Sequence, residues 1–287
     1  MSLTINIATR GRPELLLKTA NHTYPNISRK DTTLMVSVDD DDQATIDCLA
    51  ELPQDPRVIV SVAPREESRG EKYDRALTVA PADIYLPAVD CAPFLTPGFD
   101  QIIVDAAKVF PDGIGCVYTP MVNASFPGLQ APTAKLVEKL GYIYNHEYPF
   151  WFIDHELDDI CRMIGRFVFA DVHFEPRPWR PGTTIRLRDL EFWTAYFDMM
   201  ALERRAKARA IINGPDFIAP DWHKKILCNS YQVVEARSKN INSGVRANAA
   251  TIEAQRGDKN PPDEGYLRAK ARAEQKLSSF LQTLKAA

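Results

Sequence analysis

The 287-residue chain contains no run approaching the ~18 uninterrupted apolar residues that a membrane-spanning helix requires. Its start, MSLTINIATRGRPELL, lacks the basic stretch and apolar core of a secretory signal. The expected setting is therefore the cytoplasm, with no integral membrane contact. Cysteine is scarce: Cys48, Cys91, Cys116, Cys161 and Cys228 are odd in number and form no CxxC pair. This argues against both a disulfide framework and a thiolate zinc centre. The first strand-like run leads into TRGRPE and not GxGxxG, so the glycine cradle of a dinucleotide-binding domain is missing. Calcium binding by an EF-hand is excluded as well, because DDDDQATIDCLA has Gln43 at its fifth position and no central glycine. No internal repeat is evident.

What is present alternates. Strand-length apolar runs are followed by helix-period segments: TINIA then PELLLKTANH, LMVSV then QATIDCLAEL, VIVSV then EKYDRALTVA, DIYLPAV then GFDQIIVDAAKVF, and then IGCVY. This order predicts an α/β fold with a mostly parallel sheet sandwiched by helices. After Tyr118 the pattern loosens into TPMVNASFPGLQAPT, read as a loop, then a helix to Leu140, a helix from Asp154 and a strand RFVFADVHF. From about Ile185 the chain reads as helical, and Leu277, Phe280, Leu281 and Leu284 mark a packing face on the last helix. We place the α/β domain at residues 1–179 and a helical, basic C-terminal region at 180–287.

Charge follows the same division. Residues 1–179 carry 16 Lys and Arg against 26 Asp and Glu, and the remainder carries 19 against 12. A basic tail on an acidic body admits an anionic partner, although basic helices are often simply solvated.

Ligands of parallel sheets bind at the carboxyl ends of the strands. Four clusters fall there: Thr9-Arg10-Gly11-Arg12-Pro13-Glu14, Asp39-Asp40-Asp41-Asp42, the run from Val89 to Asp100, and Trp151-Phe152-Ile153-Asp154-His155-Glu156-Leu157, with His173 downstream. Pro13 suits the first turn of a helix, and Asp42 suits the cap of the helix from Gln43. Trp151 and Phe152 read either as core or as an apolar platform for a ring.

In this order the motifs TRGRPELL, VDDDD, RGEKYDRAL, VDCAPFLTPGFD, WFIDHELDDI and DVHFEP resemble GT-A-type, family-two-like glycosyltransferases, closest in look to phage and large-virus versions. The resemblance covers roughly Leu3 to Pro176 and implies a Rossmann-like GT-A fold. It implies transfer of a sugar from a nucleoside diphosphate donor to a hydroxyl, with inversion. Thr9, Arg10 and Arg12 then lie beside the nucleotide, and Asp39, Asp40 and Asp41 meet base and ribose hydroxyls. Gly70 and Lys72 fall where the family contacts donor phosphate or sugar, and Asp154 matches the general base. Asp90 matches the first acid of the pair that holds Mn or Mg, with His173 as a second ligand. Cys91 and Ala92 depart from that pattern, which puts the divalent metal in doubt. With a basic tail and viral resemblance, a hydroxylated base in DNA is one acceptor class; a polysaccharide or lipid-linked sugar is the other. The incomplete acidic pair also admits a nucleotide-sugar-binding module without turnover.

Overall fold

The computed structural model describes residues 1–120, 127–174, 189–218 and 262–286. The chain forms two compact units. The first comprises Met1–Arg65, Glu71–Ile143 and Arg166–Thr183, and the second Glu66–Gly70, Tyr144–Gly165 and Thr184–Ala287. The sequence suggests a single boundary near Trp179. In the structure Tyr144–Gly165 instead groups with the C-terminal helices, where Phe152 stacks on Phe197 and Glu156 and Asp159 meet Lys207 and Arg204.

In the first unit, β1 (Leu3–Ala8), β2 (Thr32–Asp39), β3 (Val58–Ala63) and β4 (Ile84–Val89) form a parallel sheet in the order β3-β2-β1-β4. The chain steps outward from β1 through β2 to β3, then returns to place β4 on the other side of β1. The carboxyl ends of β1 and β4 therefore flank a topological switch point, where open α/β sheets take their ligands. Helices α1 (Pro13–Thr23), α2 (Gln43–Asp47), α3 (Arg69–Val79) and α4 (Phe99–Ala107) follow the four strands in turn.

Alternation along each strand sets the two faces. Leu3, Ile5 and Ile7 of β1 join Leu34, Val36 and Val38 of β2 in a core with Leu16 and Ala20 of α1 and Phe99, Ile103 and Val104 of α4. The other face carries buried polar side chains beside Met35, and carbonyls at α3 take part in satisfying them. Thr4 Oγ1 donates to Ala80 O at 2.7 Å and Asn6 Nδ2 to Tyr73 O at 3.1 Å, while Ser37 Oγ donates to Asn6 Oδ1 at 2.8 Å. Asp39 has the parity of Ser37, so it ends β2 on the α3 side.

A second sheet combines β5 (Cys116–Pro120), β6 (Pro127–Pro132) and β7 (Phe167–Phe169) in the order β6-β5-β7, with β5 antiparallel to β6 and parallel to β7. Strand β6 lies within the segment read from sequence as a loop. Its prolines deny it a central place, but β6 is an edge strand and Pro127 and Pro132 stand at its ends, where proline is tolerated. Helix α5 (Ala134–Leu140) follows, capped by the Thr133 side chain and closed by Gly141 in the left-handed region.

The second unit contains α6 (Ile153–Ile164), α7 (Leu190–Met199), α8 (Ala201–Ile212) and α9 (Glu264–Ala286). On α9 the residues that bury fully are Ala269 and Ala273, whereas Leu277 and Phe280 are half-buried and Leu281 is exposed. The side chain of Leu284 lies outside the described residues. Among the described residues no helix is long and apolar enough to cross a membrane.

Candidate active site

The loop after β1 organises the first unit's polar edge. Gly11 adopts φ +62°, the left-handed region that a glycine enters at no steric cost. This turn sends the side chains on either side of it to different acids. Arg10 reaches the aspartate run: Nη1 lies 2.9 Å from Asp39 Oδ2, and the guanidinium grips Asp41 with both arms at 2.5 and 2.9 Å. Arg12 turns to β4, with Nη2 2.9 Å from Asp90 Oδ1. The Gly11 amide donates to Asp42 Oδ2 at 2.6 Å, and Asp42 also caps α2 by accepting from Thr45 N and Thr45 Oγ1. Three of the four consecutive aspartates thus hold the β1–α1 loop.

Asp39 is 1% exposed and gathers three cations. Besides Arg10, the Lys72 ammonium pairs with Oδ1, and Arg75 Nη2 lies 3.4 Å from the same oxygen. Lys72 and Arg75 are three residues apart on α3 and so share the helix face that covers this side of the sheet. Lys72 also donates to Thr9 O at 3.1 Å. Arg75 adds a bond to Val38 O at 2.7 Å and further bonds to Ala63 O and Pro64 O, sealing the carbonyls at the ends of β2 and β3. Its role has a sequence signal, the Lys-x-x-Arg spacing, but only the sheet parity of Asp39 shows what that spacing serves. Of Asp39, Asp40 and Asp41, only Asp40 and Asp41 are exposed, and the Arg10 hydrogen bonds hold the Asp41 carboxyl below its ordinary pKa.

Asp90 is fully buried one residue beyond β4. Thr9 Oγ1 donates to its Oδ2 at 2.8 Å, and Thr19 Oγ1 of α1 donates to its backbone carbonyl at 2.8 Å. One contiguous chain of contacts therefore runs Asp39, Lys72, Thr9, Asp90, Arg12 across the carboxyl ends of β2, β1 and β4. The structure brings together Thr9, Arg10, Arg12, Asp39, Asp41, Lys72 and Asp90.

His173 does not join them through any such contact. Its ring is 71% exposed, with Nε2 3.6 Å from Asp171 Oδ1. The described residues do not fit a divalent-cation site. Mn and Mg require several oxygen ligands, whereas Asp90 offers one carboxylate, with Arg12 Nη2 standing 2.9 Å from its Oδ1, Cys91 is a soft donor and Ala92 is none. Among the described residues no group of three or more His, Cys, Asp or Glu side chains is placed to hold a metal.

Gly70 belongs to the second unit, where a Cβ on it would stand 2.6 Å from Tyr144 O and 3.2 Å from Asn145 O. That close backbone approach is a sufficient reason for glycine there.

Asp154 stands in the first turn of α6, where the helix dipole favours a carboxylate. Its Oδ1 accepts from His155 N at 2.9 Å and pairs with His155 Nδ1 at 2.8 Å, and 43% of its side chain is exposed. Desolvation pushes its carboxyl up, but the His155 ring and backbone N–H outweigh that and hold it below its ordinary pKa. It is ionised at neutral pH. Phe152, just before it, is fully buried and stacked on Phe197 with centroids 4.8 Å apart, so it is core and not an exposed platform.

The other acids of α6 are buried, which periodicity alone did not reveal. Glu156 accepts from Asn145 Nδ2 at 2.7 Å and from Lys207 at 2.8 Å, Asp158 pairs with Arg162 at 3.0 Å, and Asp159 pairs with the equally buried Arg204 at 3.2 Å. The α9 cations are engaged too: Lys270 with Asp189 at 2.7 Å, Lys276 with Glu147 and Glu203 at 2.6 Å each, and Arg268 and Arg272 with Glu67.

No family model matches the chain, and no curated protein matches it in sequence. Solved structures resemble it in fold. The mannosyltransferase PcManGT from Pyrobaculum calidifontis, in complex with GDP-Man and Mn2+, is 15% identical over 97% of this chain and 80% of its own, with a TM-score of 0.51. S. aureus TarS 1-349 is 12% identical over 81% and 71%, with a TM-score of 0.53. Glucosyl-3-phosphoglycerate synthase from Mycobacterium tuberculosis, with Mn2+, UDP and glucosyl-3-phosphoglycerate, is 14% identical over 71% and 79%, with a TM-score of 0.51. Likeness at this level establishes fold. The chain has the GT-A-type α/β fold, with a mostly parallel sheet flanked by helices.

Proposed function

We propose that this chain is a glycosyltransferase that moves a sugar from a nucleoside diphosphate donor to an acceptor hydroxyl. The observation that carries the reading is the linked set Thr9, Arg10, Arg12, Asp39, Lys72 and Asp90 at the switch-point edge of the parallel sheet. Guanidinium, ammonium and hydroxyl donors there suit a diphosphate, and the exposed Asp40 and Asp41 suit sugar and base donors. That structures of the same fold hold GDP-Man or UDP supports the donor class.

The reaction needs little covalent help from the protein. The acceptor oxygen forms a bond to the anomeric carbon, and the bond from that carbon to the diphosphate oxygen breaks. Its electron pair stays on the diphosphate, and the acceptor proton passes to a carboxylate base. Hydrogen-bond donors stabilise the charge that develops on the leaving group. Asp154 is our assignment for the base: it is ionised, half-exposed, and held in one orientation by His155. Inversion follows from this assignment. No step is routed through a metal.

Thermal-shift screening of nucleoside diphosphates and their sugar conjugates tests the donor, since a ligand bound to the folded state raises its melting temperature. Asp154→Asn is expected to abolish transfer while donor affinity persists, and unchanged turnover removes Asp154 as base. A wild-type protein that binds donor yet turns over no acceptor is instead a binding module.

The acceptor is the open part of the proposal. The basic tail favours a hydroxylated base in DNA, but the described α9 cations Arg268, Lys270, Arg272 and Lys276 are already matched by carboxylates. The basic residues at 180–188 and between 219 and 261, and the side chain of Lys285, lie outside the described residues. Transfer of labelled sugar to DNA bearing hydroxylated bases, against transfer to oligosaccharide or glycolipid, decides between the acceptor classes.

A further inference from the structure

Resting on the donor reading above, we infer that Arg12 supplies the group beside the leaving diphosphate that a divalent cation supplies in metal-dependent enzymes, so that this chain binds a nucleoside diphosphate without metal. The position is set by topology. Asp90 and Thr9 follow β4 and β1 at the switch point, and Arg12 enters from the start of α1 to pair with Asp90. The single acid of the incomplete pair is thus already bound to a fixed cation.

Arg12 is also incompletely used. Its side chain is nine-tenths buried, yet among the described residues its Nε and Nη1 meet no hydrogen-bond acceptor. Buried N–H groups without acceptors are costly, and native proteins keep few of them. An anion entering beside Asp90 satisfies Nε or Nη1, whichever edge of the guanidinium it meets. Each edge of the guanidinium, Nε with Nη2 or Nη1 with Nη2, presents two donors in a planar fork that matches two phosphate oxygens, so Arg12 can share Nη2 between Asp90 and the anion, a geometry that an ammonium lacks. Because Asp90 offsets the Arg12 charge, the stabilisation comes from donated hydrogen bonds more than from net charge, and Asp90 and Thr9 serve to aim the fork.

The test is calorimetric titration of the full chain with UDP and with GDP, in chelator and in excess Mn2+, together with electron paramagnetic resonance of Mn2+ added to protein and nucleotide. The inference predicts the same Kd in both buffers and no Mn2+ immobilised by the protein. Arg12→Ala raises that Kd at least tenfold in either buffer, and Arg12→Lys, which keeps the charge and loses the fork, raises it by less. Where Arg12→Ala does not fold, as judged by its melting transition, Arg12→Lys carries the test, and an unchanged Kd in it overturns the inference. Binding that requires Mn2+ and survives loss of Arg12 overturns the inference and leaves the donor reading standing. A wild-type chain that binds neither nucleotide in either buffer overturns both.

Discussion

Arg10 and Arg12 stand two residues apart yet serve different acids, and the glycine between them is the reason. A Cβ at Gly11 meets nothing within 4 Å, so steric crowding by neighbours is not what requires glycine; the positive φ is. We expect Gly11→Ala to cost about 1–2 kcal/mol, the penalty of holding an L-residue in the left-handed region. If the loop relaxes to avoid that cost, Arg10 and Arg12 lose their aim, and nucleotide affinity falls further than stability. Urea denaturation beside a UDP titration separates the two effects. At this scale much was legible in the sequence. Pro13 opening a helix and Asp42 capping α2 follow from local chemistry alone. The partners of Asp39 were not, because Lys72 and Arg75 reach it only after β2 has been laid in the sheet with a particular parity.

At the scale of elements, alternation of strand and helix was enough to place the parallel sheet, since buried apolar runs bounded by helix-period segments admit few other arrangements. Strand β6 escaped notice because its two prolines and its glycine imitate a loop, and only its edge position reconciles them with pairing. Helix α4 offers a clean test of how the elements are tied. Asp100 in its first turn is fully buried and accepts from Ser28 N, Ser28 Oγ, Arg29 N and Thr32 Oγ1 at 2.8–3.0 Å. Desolvation pushes its carboxyl up, but these donors outweigh it, leaving the pKa lowered. A lowered folded pKa contributes stability that is present above the unfolded value near 3.8 and is lost as pH falls through the folded one. Asp100→Asn, which faces donors with an amide, is expected to lose about 1–3 kcal/mol at pH 7 and visibly less at pH 3. Chemical denaturation at the two pH values checks this, and a loss independent of pH contradicts the assignment.

At the scale of the whole molecule, part of the charge asymmetry that suggested an anionic partner is met internally among the described residues. In the second unit the cations Arg204 and Lys207 of α8 neutralise buried acids of α6, and those of α9 neutralise Glu67, Glu147, Asp189 and Glu203. Summed charge was readable from composition, but its destination was not, because pairing depends on which helix faces meet. Arg204 is the sharpest case, being fully buried against Asp159 with its guanidinium 3.7 Å from the Phe197 ring centroid. Removing one partner of a buried pair strands the other charge. Arg204→Met is therefore expected to destabilise by about 3–5 kcal/mol, and adding Asp159→Leu to restore much of that loss. Melting temperatures of the single and double variants measure the coupling, and equal losses in both remove the pair as the source.

The first unit's edge bears the functional claim, and a crystal structure of the chain with a non-hydrolysable nucleoside diphosphate sugar examines it most directly. The account predicts the diphosphate at the carboxyl ends of β1 and β4, within hydrogen-bond reach of Thr9, Arg12 or Lys72. A nucleotide bound away from that edge, with the Asp39–Lys72–Thr9–Asp90–Arg12 chain untouched, contradicts it.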